Sequence, residues 1–203
     1  RAAPARVQAF ALTWTMPYRV ECMSITTAFA AGFDEAFCSK TCGPTKASPY
    51  FGSISRRPYD DHGLRPAMAL AGRNVEEVKK LIDRGIASDG TSPRAAGYLV
   101  STSDKNRNVR ALTYADIIPY YLQSPLDLRI VEADFIQDRK RVLFYFTGVK
   151  RVKAIETIRF LPGAIADHLT SAGGHPVDSG DQMSSLRWLE AGATGSSGAV
   201  VEP

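Results

Sequence analysis

Short apolar runs alternate along this chain with amphipathic stretches, and the two periods can be separated. Residues 7–14 carry Val7, Phe10, Leu12 and Trp14, are bounded by Pro17, and predict a buried first strand. Ile25, Ala28, Phe29 and Phe33 recur at near-helical spacing and predict a helix over residues 24–37 with Ser24 as its cap. Residues 66–71 predict a second strand. Asn74 is placed to cap a helix through Asp83, with Val75, Val78, Leu81 and Ile82 on one face and Gly85 ending it. Residues 97–102 predict a third strand, followed by a polar turn at 103–108 and a helical stretch over 114–122. Residues 128–135 read as an edge strand, and residues 142–147 as the most strongly apolar strand of the chain. The last part predicts a helix over 161–174, a second over 183–191, and a closing strand at 199–201.

Strands alternating with helices predict an α/β fold, three-layered, with a mainly parallel sheet and helices on both faces. A length of 203 residues and 44% hydrophobic content suffice for one packed α/β domain over residues 1–203. That domain carries an irregular excursion at residues 38–64, where Gly43-Pro44, Ser48-Pro49 and Arg57-Pro58 set turns. Tyr50, Phe51 and Tyr59 give the excursion something to bury. The abrupt ends at Arg1 and Pro203 lead us to expect a longer natural chain.

Charge narrows the partners. The 25 basic and 21 acidic residues leave a formal net charge of +4, but the two signs are interspersed rather than gathered on one aromatic-laced stripe, so nucleic acid is not the expected partner. Local clusters such as Arg139-Lys140-Arg141 flank strands and read as a solvated rim. No run approaches the ~20 apolar residues of a membrane span. Of the three cysteines, Cys38 and Cys42 lie close together in a turn-rich loop and are expected to form a disulfide in an oxidising compartment. A zinc site would need Cys22 and His62 as further ligands, and no second pair has zinc spacing.

Candidate chemistry is sparse. Gly192, Gly195 and Gly198 resemble a phosphate cradle, yet they follow a helix and precede a strand, the reverse of the order that aims free N–H groups at an anion. A helix stop at Gly192 is the better account. His168 and His175, with Asp167, Asp178 and Asp181, have no metal-site spacing, and no metal or other cofactor is expected. No Gly-x-Ser-x-Gly elbow follows a strand. The polar groups at the carboxyl ends of the expected strands are Tyr18, Arg19, Glu21, Asp104, Arg107, Arg110 and Thr147, and they form the candidate ligand-binding set. The arginines can clamp a carboxylate or phosphate, or pair with neighbouring acids to close the sheet edge.

Four stretches, residues 12–27, 83–91, 101–110 and 162–171 with its continuation through 190–195 to 201–203, resemble an uncharacterised bacterial family of species that carry the exosortase protein-sorting system. The resemblance implies export to the periplasm or the extracellular space, and supplies no activity. A looser likeness connects the strand order and residues 192–195 to caspase-like and gingipain-like cysteine peptidases, whose catalytic His and Cys follow two central strands. In this chain the matching strand ends, Ser101 to Asp104 and Thr147-Gly148, hold neither. A caspase-like or flavodoxin-like scaffold without catalysis is therefore expected. The functional expectation is a binding or assembly component of the cell envelope with another envelope protein as partner. The alternative is a cysteine or serine hydrolase of peptidase type, using Cys22 or a serine with His168 or His62.

Overall fold

The computed structural model describes residues 19–20, 23–32, 34–39 and 45–199. The predicted strand at 7–14 lies outside the described residues, as do Tyr18, Glu21, Cys22 and Cys42. The chain divides between Ala69 and Leu70 into two compact units.

In the first unit, β1 (Arg19–Val20) pairs antiparallel with β2 (Met23–Ser24), and α1 (Ile25–Ala31) follows at once. The helix expected to reach residue 37 stops after Ala31, because Gly32 adopts the left-handed conformation with φ +71° that ends helices. A 3-10 turn at Glu35–Phe37 comes next, where the Asp34 side chain accepts from the Ala36 N–H at 2.9 Å. The excursion is ordered by α2 (Pro58–His62) and by local bonds such as Tyr50 Oη to the Ser55 carbonyl at 3.0 Å. Its aromatic residues are less buried than expected: Phe51 is 90% exposed. The polar turns, not an aromatic cluster, hold this segment.

The strand expected at 66–71 does not form; residues 64–72 are irregular, and Met68 and Leu70 are exposed. That run has no β-branched residue, and among the described residues no strand pairs with it. Helix α3 (Val75–Ser88) then begins where expected: the Asn74 side chain accepts from the Glu77 N–H at 3.0 Å, and the Glu77 carboxylate accepts from the Arg73 N–H at 2.8 Å. It runs past Gly85, since one interior glycine costs a helix only about 1 kcal/mol, and stops before Gly90 at φ +65°.

Four strands form one all-parallel sheet: β3 (Ala95–Ser101), β4 (Leu126–Glu132), β5 (Lys140–Thr147) and β6 (Arg159–His168), in the order β4-β3-β5-β6. This is the α/β class read from the sequence, with β4 at an edge. Between β3 and β4 the chain coils through 3-10 turns and α4 (Tyr114–Ile117). Strand β6 replaces the helix expected from residue 161 on. Ala166 and His168 are buried while Ile165 is 42% exposed, and the Pro162-Gly163 pair sits in a bulge: Val142 faces Phe160 and Phe144 already faces Ile165. Short α5 (Leu186–Glu190) follows, and Gly192, at φ +108°, ends it as expected. The chain then docks along β6, with Thr194 N and Gly195 N both donating to the Ala164 carbonyl and Ala166 N to Gly195. That ladder covers one sheet edge.

One face of the sheet, bearing Tyr98, Val100, Tyr145 and Ala166, packs on Met183 and Trp188 from the segment around α5. Trp188 is fully buried, with the Tyr145 ring edge-on at 4.9 Å. Burial raises the Tyr145 phenol to about 12, and its oxygen accepts from the Ile136 N–H. The alternating positions Leu99, Phe146 and Asp167 belong to the opposite face, where Arg110 and Tyr114 from the β3–β4 crossover meet Asp167. Helical segments thus lie on both faces.

Candidate functional site

In an open parallel sheet, ligands bind beyond the carboxyl ends of the strands where the connections diverge to opposite sides. Here β3 leads outward to β4 and β5 leads the other way to β6, so the divergence falls between Ser101 and Thr147. The loop after β3 crosses that point. Thr102 Oγ1 donates to the Gly148 carbonyl at 2.6 Å, Thr102 N to Asn108 Oδ1 at 2.8 Å, and Asn108 Nδ2 to Ser101 Oγ at 3.1 Å. A Cβ built on Gly148 would stand 2.0 Å from the Arg107 carbonyl oxygen. Glycine alone permits this approach, and the approach closes the crevice.

The expected arginines come to this end of the sheet already engaged. Arg107 pairs with Asp104 at 3.1 Å and reaches Thr170 Oγ1 through Nε at 3.3 Å. Thr170 in turn donates to Gln182, which also accepts from the Ala172 N–H at 2.9 Å. Arg110 pairs with Asp167, whose side chain is 5% exposed. Nearby, the Ser103 N–H bond to Asp134 lowers that carboxyl below its ordinary range. Thr147 Oγ1 is buried without a hydrogen-bond partner. Asp104, Arg107, Arg110 and Thr147 therefore gather as expected at one end of the sheet. Arg19 belongs to the first unit, and its side chain lies outside the described residues, with Tyr18 and Glu21.

His168 ends β6, 1% exposed. The Trp188 indole N–H, a donor only, gives its proton to Nδ1 at 3.0 Å, while Nε2 lies 2.8 Å from the Met183 carbonyl, an acceptor only. These partners require the neutral imidazole with its proton on Nε2. Burial lowers the pKa of His168, in keeping with that form. Neither nitrogen is left for a metal or a nucleophile, and no group of three His, Cys, Asp or Glu with metal-site geometry occurs among the described residues. Sequence reasoning missed the His168–Trp188 pair because β6 had been assigned a helical period; the alternation of Ala164, Ala166 and His168 was the available signal.

Two further expected residues lie in the first unit. Cys38 is held in a disulfide, which leaves no thiolate there for zinc, and its expected partner Cys42 lies outside the described residues. His62 Nε2 lies 2.8 Å from Ser53 Oγ. Ser53 Oγ also accepts from the Ser55 N–H, and the His62 tautomer decides whether the hydroxyl donates to Nε2 or accepts from it. Asp61, beside His62 in sequence, is taken up instead by Ser55 and Arg57.

No protein-family model, curated protein or solved structure matches this chain.

Proposed function

We propose that this protein is an exported component of the bacterial cell envelope, in the periplasm or outside the cell, that binds or assembles with another envelope protein on a non-catalytic α/β scaffold. One observation carries the reading: the end of the sheet where such folds do their chemistry is filled by its own loop. There the guanidinium groups of Arg107 and Arg110 are paired and both nitrogens of His168 are engaged. The disulfide at Cys38 supports an oxidising location. The test is site-directed photo-crosslinking in intact envelopes, with esterase and peptidase assays on the full-length protein alongside. One reproducible crosslinked partner and no turnover support the proposal; turnover abolished by a point change at this sheet end defeats it.

A second reading rests on the bond between Ser53 and His62. In the tautomer with Nε2 unprotonated the pair is the first half of a hydrolase dyad, in which the hydroxyl attacks an acyl carbon and its proton passes to the ring nitrogen. The orienting third group is missing among the described residues, since no carboxylate bonds to His62, and this ranks the hydrolase second. Covalent labelling by a fluorophosphonate that disappears in Ser53→Ala would reverse the order. Equal labelling of both proteins, or of neither, removes the dyad.

A further inference from the structure

Between the first turns of α3 and the end of α5, the second unit holds a cavity of about 210 Å³. Its wall includes Gly72, Arg73, Lys80, Arg84, Glu77 and Glu190. Both carboxylates have an arginine beside them, although Glu190 Oε1 is buried and accepts no hydrogen bond. Arg73 holds Glu77 at 2.5 Å and Glu190 at 3.1 Å, and Arg187 holds the second Glu190 oxygen at 2.5 Å.

Arg84 is different. Its Nη2 donates to the Leu189 and Ala193 carbonyls at 3.0 Å each, which caps the end of α5, and its Nε is buried without an acceptor. Among the described residues no carboxylate lies within ion-pair distance of Arg84 or of Lys80. A guanidinium that is partly withdrawn from water and bonded only to neutral carbonyls keeps a whole uncompensated charge. Burial correspondingly lowers its pKa. The exposed ammonium of Lys80 adds a second charge of the same sign on the same wall, and a recess lined this way concentrates anions.

We propose that this cavity binds a small oxyanion, a carboxylate or a phosphate group, through Arg84 and Lys80. Its volume decides the size class: sites for drug-sized molecules run to roughly 300–1,000 Å³, and this one is smaller. Arg73, Lys80 and Arg84 outnumber Glu77 and Glu190 on this wall, which disfavours a cation, and a neutral ligand would leave Arg84 without a counter-charge. The inference is independent of the envelope role and of the Ser53–His62 pair.

The experiment is a titration of the full chain with inorganic phosphate and, separately, with acetate, at fixed ionic strength, followed through the backbone amide resonances of Gly72 and Leu189. Saturable shifts with either probe are expected, and which probe saturates states which oxyanion the site takes. Lys80→Glu should weaken that binding about tenfold or more, the worth of one bond to a charged group. Because Lys80 is exposed and makes no ion pair, this variant keeps the fold, which the near-ultraviolet signal of buried Trp188 reports; Arg84→Ala, by uncapping α5, need not. No saturable shift with either probe overturns the proposal, and so does undiminished binding by Lys80→Glu.

Discussion

The indole N–H of Trp188 donates to Nδ1 of His168 across 3.0 Å, twenty residues apart in sequence and both fully enclosed. This bond ties the end of β6 to α5 and holds the imidazole neutral, because a proton on Nδ1 would face another donor. The consequence is a pH dependence of stability. Burial places the folded-state pKa of His168 below its ordinary 6.5, so below that pH the unfolded chain binds a proton that the folded chain refuses. The contribution is fully present above about pH 6.5 and is lost as pH falls from there toward the folded value, at up to about 1.4 kcal/mol per pH unit. Urea midpoints between pH 7.5 and pH 5 should fall in the parent and flatten in His168→Gln. A parent curve as flat as that of the variant overturns the assignment.

Trp188→Phe keeps an aromatic ring but removes the donor, together with part of the buried volume. Leaving the buried Nδ1 unsatisfied should lower stability by about 1–3 kcal/mol at pH 7.5, measured by chemical denaturation. A loss under half of that would mean that water replaces the indole.

Gly148→Ala tests the closure of the sheet end. The added methyl meets backbone, the Arg107 carbonyl, rather than a side chain that can swing aside. Stability should drop by about 3 kcal/mol, with the largest amide shifts confined to residues 102–110. Unchanged stability would show that the loop lifts freely and that the crevice opens.

The two arginine pairs should differ. Arg110→Ala leaves Asp167 as a nearly enclosed carboxylate without its partner and should cost about 3 kcal/mol. Arg107→Ala leaves the more accessible Asp104 carboxylate, which water can reach, and a loss of about 1 kcal/mol is expected. Neither change should reduce crosslinking to an envelope partner. If Arg107→Ala abolishes it with the fold intact, Arg107 belongs to a binding surface.

Peptide mapping of unreduced protein should find Cys38 joined to Cys42. The three residues between them let a tight turn bring their Cα atoms within the roughly 7 Å that a disulfide spans. A peptide joining Cys38 to Cys22 would overturn that pairing and leave Cys42 as the free thiol.

How far the chain could be read in advance depended on whether a signal was local. The Asn74 cap was legible because a short polar side chain three residues before Glu77 has one good use, and the structure shows that bond. Strand β5 was legible from an unbroken apolar run. Strand β6 was not: Ala, Ile and Leu around Pro162-Gly163 suit either period, and the deciding contact, pairing with β5, lies in another part of the chain. The candidate site was half legible. Asp104, Arg107, Arg110 and Thr147 could be placed at a strand end, whereas the partners Thr170 and Asp167 could not, since they follow or end the misread strand.

By itself, then, the order of apolar runs and caps pointed to an α/β chain with a parallel sheet and a helix stop at Gly192, because strand and helix periods and a helix end are read from neighbours within a few residues. Only the tertiary structure decided that residues 66–71 stay out of the sheet, that His168 is sealed by Trp188, and that Arg107 and Arg110 are paired while Arg84 has no carboxylate partner among the described residues. Those outcomes rest on burial and on hydrogen-bond partners far apart in sequence. A guanidinium carries the same charge in the linear chain wherever it stands, and its chemistry is set by what folding places beside it.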